Sequence, residues 1–276
     1  MDVLKLVAAA SSEVEERVLE AGVVCAFTAP SPAEPGRRNQ DSVLVWSVGE
    51  QVVICVADGA GGHPGGAEAS AEAVGALSEA LAVAPTGEHL RGAILDGFEA
   101  ANRRVRGLGL GAATTLAVVE IGPGWLRSYH AGDSGVLVTG QRGRLKLVTV
   151  SHGPVAYGVE AGFLDEEAAL IHHDLNVVNN LLGFEDLRIE LGARRPLAPL
   201  DTVLVASDGL FDNLRQQEIV EEVRSGQLAS VAGALVEKVG ARMGEVAHDL
   251  PGKPDDLSLV LFRRRRGAAR GRARRR

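Results

Sequence analysis

The fold is decided by residues 52–70, which read VVICVADGAGGHPGGAEAS. The first six are apolar and mostly β-branched, which predicts a buried strand. The strand ends at Asp58, five of the eight residues from 59 to 66 are glycine, and an alanine-rich helical pattern begins near Gly66. Glycine lets the backbone turn sharply and approach a small ligand closely. A carboxylate at the mouth of a sheet, beside bare backbone carbonyl groups, is a hard oxygen site suited to Mg²⁺ or Mn²⁺.

Aspartates lie at strand ends in three further places. A single Asp-Gly turn is equally typical of a tight turn without a ligand, so the repetition carries the argument. Asp208 and Asp212 follow an apolar strand, Asp133 follows another, and Asp255 comes just before the last strand. Acids far apart in sequence that all lie at strand ends are what a shared metal cluster requires.

The order of elements favours antiparallel sheets, because several adjacent strands are joined by short turns. Strands at 42–48 and 52–57 form a predicted hairpin, which would bring Asp41 and Asp58 to the same sheet edge. Helices are predicted at 66–83 and 87–107. We expect strands 134–139 and 145–149 to continue the sheet that contains 125–131.

Composition indicates one globular domain with a large core, since the chain has 276 residues and 46% hydrophobic content. No apolar run approaches the ~20 residues needed to cross a bilayer, and no secretory signal is recognisable. Cys25 and Cys55 each lie in an apolar strand-like run, which favours buried free thiols and a cytoplasmic location.

The C-terminal segment 263–276 holds nine of the 29 basic residues and no acid, so the rest of the chain is strongly acidic. A solvated, disordered tail is one interpretation. The other is a tether to nucleic acid, an anionic membrane surface or an acidic partner. Segment 151–185 holds His152, His172 and His173 without zinc-ligand spacing, so we expect an irregular loop with a short helix near 165–170.

Six short motifs follow one another along the chain: Arg37-Arg38-Asn39-Gln40-Asp41, Asp58-Gly59-Ala60-Gly61-Gly62-His63, Gly111-Ala112-Ala113-Thr114-Thr115, Gly132-Asp133-Ser134, Ser207-Asp208-Gly209-Leu210-Phe211-Asp212 and Asp255-Asp256-Leu257-Ser258. In their order and spacing they resemble the metal-dependent protein serine/threonine phosphatases of the protein phosphatase 2C type, and bacterial members most. The resemblance implies an α+β fold in four layers (αββα), with a central β-sandwich of two antiparallel sheets flanked by helices. It places an N-terminal extension at 1–21, the phosphatase domain at 22–262, a variable loop at about 151–185 and a basic tail at 263–276.

The resemblance also implies a set of site residues and two to three Mn²⁺ or Mg²⁺ ions. Asp58 matches the bridging ligand, with the carbonyl of Gly59 beside it. The other principal acids are Asp208 and Asp255 as first-metal ligands and Asp41, which acts through metal-bound water. Asp133 and Asp212, together with Asp208, match the acids of a third metal.

The implied activity is hydrolysis of phosphoserine and phosphothreonine by attack of a metal-activated water. The implied partners are phosphorylated proteins, the targets of a Ser/Thr kinase. The alternative is a weakly active or inactive regulatory module with the same fold.

Three positions depart from the family pattern. The phosphate-binding Arg position is Gly36, although a one-residue slip would let Arg37 serve. Ala60 stands where some members have a proposed acid His, and Gly135 replaces a familiar Arg. For Asp256, where Asn is common in the family, a polar residue at the start of a strand is a sufficient interpretation.

Overall fold

Two antiparallel sheets form the centre of the computed structural model, which describes residues 1–11, 13–34, 36–60, 65–84, 90–109, 111–244 and 252–265. The first sheet contains β1 (Asp2–Val7), β4 (Asp41–Val48), β5 (Gln51–Asp58), β6 (Leu116–Gly122), β7 (Trp125–Ala131), β10 (Glu190–Leu191) and β11 (Arg195–Pro196). The second contains β2 (Glu15–Val18), β3 (Gly22–Ala29), β13 (Leu257–Arg264), β12 (Thr202–Ala206), β8 (Gly135–Thr139) and β9 (Leu145–Val148).

Helices cover the outer face of each sheet. Against the first sheet lie α1 (Gly66–Val83) and α2 (Leu90–Leu108), and against the second lie α6 (Gln216–Val223) and α7 (Leu228–Gly244). Three shorter helices are α3 (Pro154–Glu160), α4 (Glu166–Leu170) and α5 (Asp208–Phe211). The short helix predicted near 165–170 is therefore present as α4. Within the described parts of the chain, no helix is long and apolar enough to cross a membrane.

The core is layered because β5 buries side chains on both of its faces. Val52, Ile54 and Val56 lie in the cluster between the two sheets, whereas the alternate residues of the same strand pack against α1 and α2. A strand covered on both faces is continuously apolar, as the sequence 52–57 is. The predicted four-layer α+β sandwich is confirmed.

The N-terminal segment differs from its prediction. Ser11-Ser12 followed by EVEERVLEAG is a pattern that predicts a short capped helix, but Glu15–Val18 form β2, which pairs with β3, and Asp2–Val7 form β1, which pairs with β4. β2 is mostly exposed and holds three consecutive charged residues, Glu15, Glu16 and Arg17, which the rim of a sheet accepts. Residues 1–21 therefore contribute an edge strand to each sheet instead of lying apart as an extension.

The chain changes sheets between β7 and β8, contrary to the expectation that 134–139 and 145–149 continue the first sheet. The crossing is the turn Gly132-Asp133-Ser134, which joins the first sheet to the second. Gly132 has a φ of +105°, and a Cβ there would lie 2.6 Å from Thr115 Cγ2, so the turn requires glycine. This crossing places Asp133 at the end of the sandwich where other strand-end acids lie.

Both cysteines are buried and free, as predicted. Burial raises the pKa of the Cys25 thiol to about 12 and raises the pKa of Cys55 further. Neither thiol is therefore available as a nucleophile.

Candidate metal centre

The β4–β5 hairpin brings the first two acids together as predicted. Asp41 begins β4 and Asp58 ends β5, and the two residues are paired directly in the ladder. The backbone N–H of Asp58 donates to Thr115 Oγ1 at 3.0 Å, and the N–H of Thr115 donates to the Asp58 carbonyl at 2.8 Å. The end of β5 is thus fixed to the start of β6.

Gly59 is required by close packing against the start of α1. A Cβ on Gly59 would lie 2.2 Å from the carbonyl oxygen of Gly66. The Gly59 N–H donates to the carbonyl of Gln40 at 3.1 Å, which ties this turn to the segment before β4. The glycine-rich sequence therefore keeps bare backbone beside Asp58. The motif residues Gly61, Gly62 and His63 lie outside the described residues.

Asp41 and Asp208 each carry a buried carboxylate oxygen without a hydrogen-bond partner. Ser207 Oγ donates to Asp41 Oδ2 at 2.9 Å, but Asp41 Oδ1 is unpaired, and so is Asp208 Oδ1. An unsatisfied buried polar atom costs about 1–3 kcal/mol, so such atoms indicate an interaction yet to be made. Oxygen atoms of this kind fit the ligand preference of Mg²⁺ and Mn²⁺.

The acids of the cluster are buried close to one another, which disfavours their charged forms. Burial, together with the neighbouring charge of Asp208, raises the pKa of the Asp133 carboxyl to about 7. Burial likewise raises the pKa of four more acids, and adjacent carboxylates add to the effect: Asp41, Asp58, Asp212 and Asp255. Like charges brought together in a low-dielectric site favour protonation or a bound cation.

A lysine that the sequence analysis missed lies among these acids. Lys253 Nζ is 2.6 Å from Asp208 Oδ2, 2.9 Å from Asp212 Oδ2 and 3.2 Å from Asp255 Oδ2. The only sequence signal was its position two residues before Asp255.

The predicted residues share a cleft of about 400 Å³ at the end of the sandwich. Its acidic lining is Asp58, Asp133, Asp208 and Asp255, with Gly59, Arg37 and Lys253 beside them. Asn176, Val178 and Leu181 of segment 151–185 form another part of its wall. Asp41 is fully buried behind this cleft, and Asp212 lines a neighbouring groove beside α5.

Arg37 lies in the cleft lining, and its loop is anchored by Asp256. The carboxylate of Asp256 accepts hydrogen bonds from the backbone N–H groups of Ser31 at 2.8 Å and Gln40 at 2.7 Å. Asp256 Oδ2 also lies 3.9 Å from the Arg37 guanidinium. Asp256 therefore does more than begin a strand, since it fixes the loop that presents Arg37.

Gly36 explains one departure from the family pattern. It has a φ of +89°, a conformation that an arginine would rarely adopt, and nothing lies within 4 Å of a Cβ there. The turn therefore favours glycine at 36, and Arg37 is the arginine that lines the cleft.

Among the residues that the structure describes, two groups contain histidines whose possible ligand atoms lie within 4.8 Å of each other, and neither group includes a cleft aspartate. In the first, His130–His152–Glu190, His152 Nδ1 already accepts from the Gly132 N–H at 3.1 Å and from Asn180 Nδ2 at 2.8 Å. Its Nε2 lies 3.2 Å from Glu190 Oε2. These bonds give His152 a structural role in holding the Gly132 turn. The second group, His172–His173–Asp174, lies at the surface.

Comparison with known proteins identifies the family. The family model described as "Protein phosphatase 2C" matches residues 30–239, and the chain belongs to that family. The prediction of a protein phosphatase is thereby confirmed at the level of the family. Asp255 and Lys253 lie beyond the matched residues.

Several similar proteins are named serine/threonine phosphatases. The "Serine/threonine phosphatase stp" of Listeria welshimeri is 28% identical over 244 residues, covering 82% of this chain and 90% of the relative. The solved S. agalactiae serine/threonine phosphatase is 26% identical, with a TM-score of 0.73, over 88% of this chain and 99% of that one. A PstP catalytic domain solved with two manganese ions is 25% identical, with a TM-score of 0.69, over 87% of this chain and 96% of that one.

Proposed function

We propose that this chain hydrolyses phosphoserine and phosphothreonine in proteins at the aspartate cleft, using two Mn²⁺ or Mg²⁺ ions. The observation that carries the proposal is the set of buried acids from separate segments at one end of the sandwich, two of them with unpaired oxygens. The family and its named bacterial members support the same reaction. The manganese ions of the PstP structure support the choice of metal.

Each principal acid has a proposed role toward the ions. Asp58 would bridge them with the Gly59 carbonyl beside it, Asp208 and Asp255 would hold the first, and Asp41 would act through water. When bound, the ions supply a water of lowered pKa as nucleophile and neutralise the phosphoryl oxygens. Thr115 and Ser207 position Asp58 and Asp41 by the hydrogen bonds described above.

The substrate phosphate would be held by the Arg37 guanidinium, which lines the cleft and donates to Gln40 Oε1. A guanidinium matches phosphate through paired N–H donors. The wall formed by Asn176, Val178 and Leu181 would exclude water and contact the residues that flank the phosphoamino acid. The alternative of an inactive binding module is not adopted, because the four principal acids that turnover requires are all present.

We further propose that the partners are phosphorylated targets of a Ser/Thr kinase and that the protein acts in the cytoplasm. Most of the basic tail, 266–276, lies outside the described residues, so its binding to an acidic partner or surface stays a sequence-based prediction.

The test is phosphate release from a phosphothreonine peptide with Mn²⁺, with Mg²⁺ and with chelator. We expect metal-dependent release that falls about 100-fold or more in Asp208→Asn, because loss of a direct ligand costs at least as much as loss of a residue that supports one. Asp96→Asn, an exposed substitution on α2, is the matched control and should keep full activity. Undiminished turnover in Asp208→Asn, or no release from the folded protein with either metal, would overturn the proposal.

A further inference from the structure

The ammonium of Lys253 has one carboxylate for each of its donors. A lysine ammonium carries three N–H donors and no acceptor. Its three neighbours are one oxygen each from Asp208, Asp212 and Asp255, at 2.6, 2.9 and 3.2 Å. These carboxylates are mostly buried, with side-chain exposures of 11%, 12% and 26%. The lysine therefore neutralises charge inside the cluster and is not a solvated surface cation.

The backbone of Lys253 is fixed independently of that charge. Its N–H donates to Asn213 Oδ1 at 2.8 Å, and its carbonyl accepts from Asn213 Nδ2 at 2.8 Å. Asn213 is fully buried and also bonds to the carbonyl of Gly209 in α5. Because α5 begins at Asp208, the clamp holds the lysine at a set distance from Asp208 and Asp212.

We propose that the Lys253 ammonium takes the place of a third divalent ion. The chain would then bind two divalent ions, and its own lysine side chain would be the third cation of the site. The inference rests on the proposed function, since it concerns the same acids. It revises the prediction that Asp133 and Asp212 hold a third metal: Asp212 is instead the partner of Lys253.

The Lys253 ammonium and a third divalent ion cannot use the same carboxylate oxygens. A Mg²⁺ ion requires carboxylate oxygens at about 2.0–2.1 Å in near-octahedral order. An ammonium already in contact with the Oδ2 atoms of Asp208 and Asp212 occupies the space such an ion would need. Asp208 Oδ1 stays unpaired and buried, so one oxygen of this residue serves the lysine while the other is left for the first ion.

The lysine also accounts for the charge of the site. Its ammonium lies against three carboxylates, so it supplies one positive charge at the oxygens of Asp208, Asp212 and Asp255. Because this charge belongs to the chain itself, it would neutralise part of the carboxylate charge at any metal concentration.

The test counts Mn²⁺ ions by equilibrium dialysis, with free Mn²⁺ measured by electron paramagnetic resonance, up to millimolar metal. We expect two ions per wild-type chain and three in Lys253→Met, which removes the charge but keeps most of the volume. Asp133→Asn added to Lys253→Met should return the count to two, since Asp133 would ligate the third ion. Lys238→Ala, which removes a surface lysine paired with Glu222 on α6, is the control and should leave two.

Each outcome bears on the proposal separately from the proposed function. Three ions in the wild type, or two in both the wild type and folded Lys253→Met, would overturn the role of Lys253 and leave the phosphatase intact. No bound ion in any variant would overturn both. If Lys253→Met does not fold, Lys253→Gln replaces it, with circular dichroism as the criterion for folding.

Discussion

At the scale of single residues, the site depends on side chains whose partners are distant in sequence. Asp256 anchors Ser31 and Gln40, and Lys253 is clamped by Asn213. Sequence motifs located Asp41, Asp58, Asp208 and Asp255, because each lies at a recognisable strand or helix end. The motifs gave no role to Lys253, and they gave Asp256 only the role of a polar residue at the start of a strand. The roles of both residues depend on contacts with residues more than 30 positions away in the sequence.

Arg37 and Arg38 offer a matched pair for testing phosphate binding. Arg37 lines the cleft, whereas Arg38 is exposed and paired with Glu68. Arg37→Ala should lower kcat/KM for a phosphothreonine peptide about 10-fold to 100-fold, because a hydrogen bond to a charged group contributes about 1.5–3 kcal/mol. Arg38→Ala should leave kcat/KM within about twofold. Steady-state kinetics at saturating Mn²⁺ decides the matter, and equal losses in both variants would refute the assignment of Arg37.

At the scale of elements, the start of α1 packs closely against the end of β5, beside the proposed metal centre. The β4–β5 hairpin followed from the sequence, because two apolar runs joined by a two-residue turn specify it locally. The sequence analysis did not predict the two N-terminal strands, and it did not predict that β8 joins the second sheet. A mostly charged tetrapeptide such as Glu15–Val18 does not indicate which strand it pairs with, and a local pattern does not indicate which of two sheets a strand joins.

Gly59 and Gly92 test the importance of that close approach. Gly59→Ala would place a methyl group 2.2 Å from the Gly66 carbonyl oxygen, so α1 must move away from Asp58. We expect a loss of stability of about 1–3 kcal/mol, typical of overpacking, and weaker Mn²⁺ binding. Gly92→Ala on α2 has nothing within 4 Å and should stabilise the helix by up to about 1 kcal/mol.

Chemical denaturation and Mn²⁺ titration of the two alanine variants give the result. Unchanged metal affinity in Gly59→Ala would show that the contact with α1 does not shape the site.

At the scale of the whole molecule, the four layers bring acids from separate parts of the chain to one end of the sandwich. The sequence predicted this convergence because each acid lies at a strand or helix boundary. It could not predict how the charges are balanced, since that depends on burial and on Lys253.

The acid cluster predicts an unusual pH dependence for the metal-free protein. Burial raises the folded-state pKa of Asp133 to about 7, against about 4 when unfolded. Its contribution to stability is therefore complete below about pH 4 and is lost as the pH rises through 7. The other acids with raised pKa act in the same direction, whereas His130, whose pKa burial lowers, acts in the opposite one.

In chelator, the free energy of unfolding should therefore fall between pH 5 and pH 8, by up to about 1.4 kcal/mol per pH unit for one such group. Asp133→Asn should flatten this slope, because the substitution removes the titrating group. Urea denaturation across the pH range measures the effect. Identical slopes in the two proteins would contradict the assigned environment of Asp133.

The central claim is that the aspartate cleft is the metal centre. Crystals grown with Mn²⁺ and measured near the manganese absorption edge test it most directly. The account predicts two anomalous peaks that share Asp58, one of them also ligated by Asp208 and Asp255, with Lys253 Nζ beside Asp212. Peaks only at His130, His152 and Glu190, or none in the cleft, would contradict it.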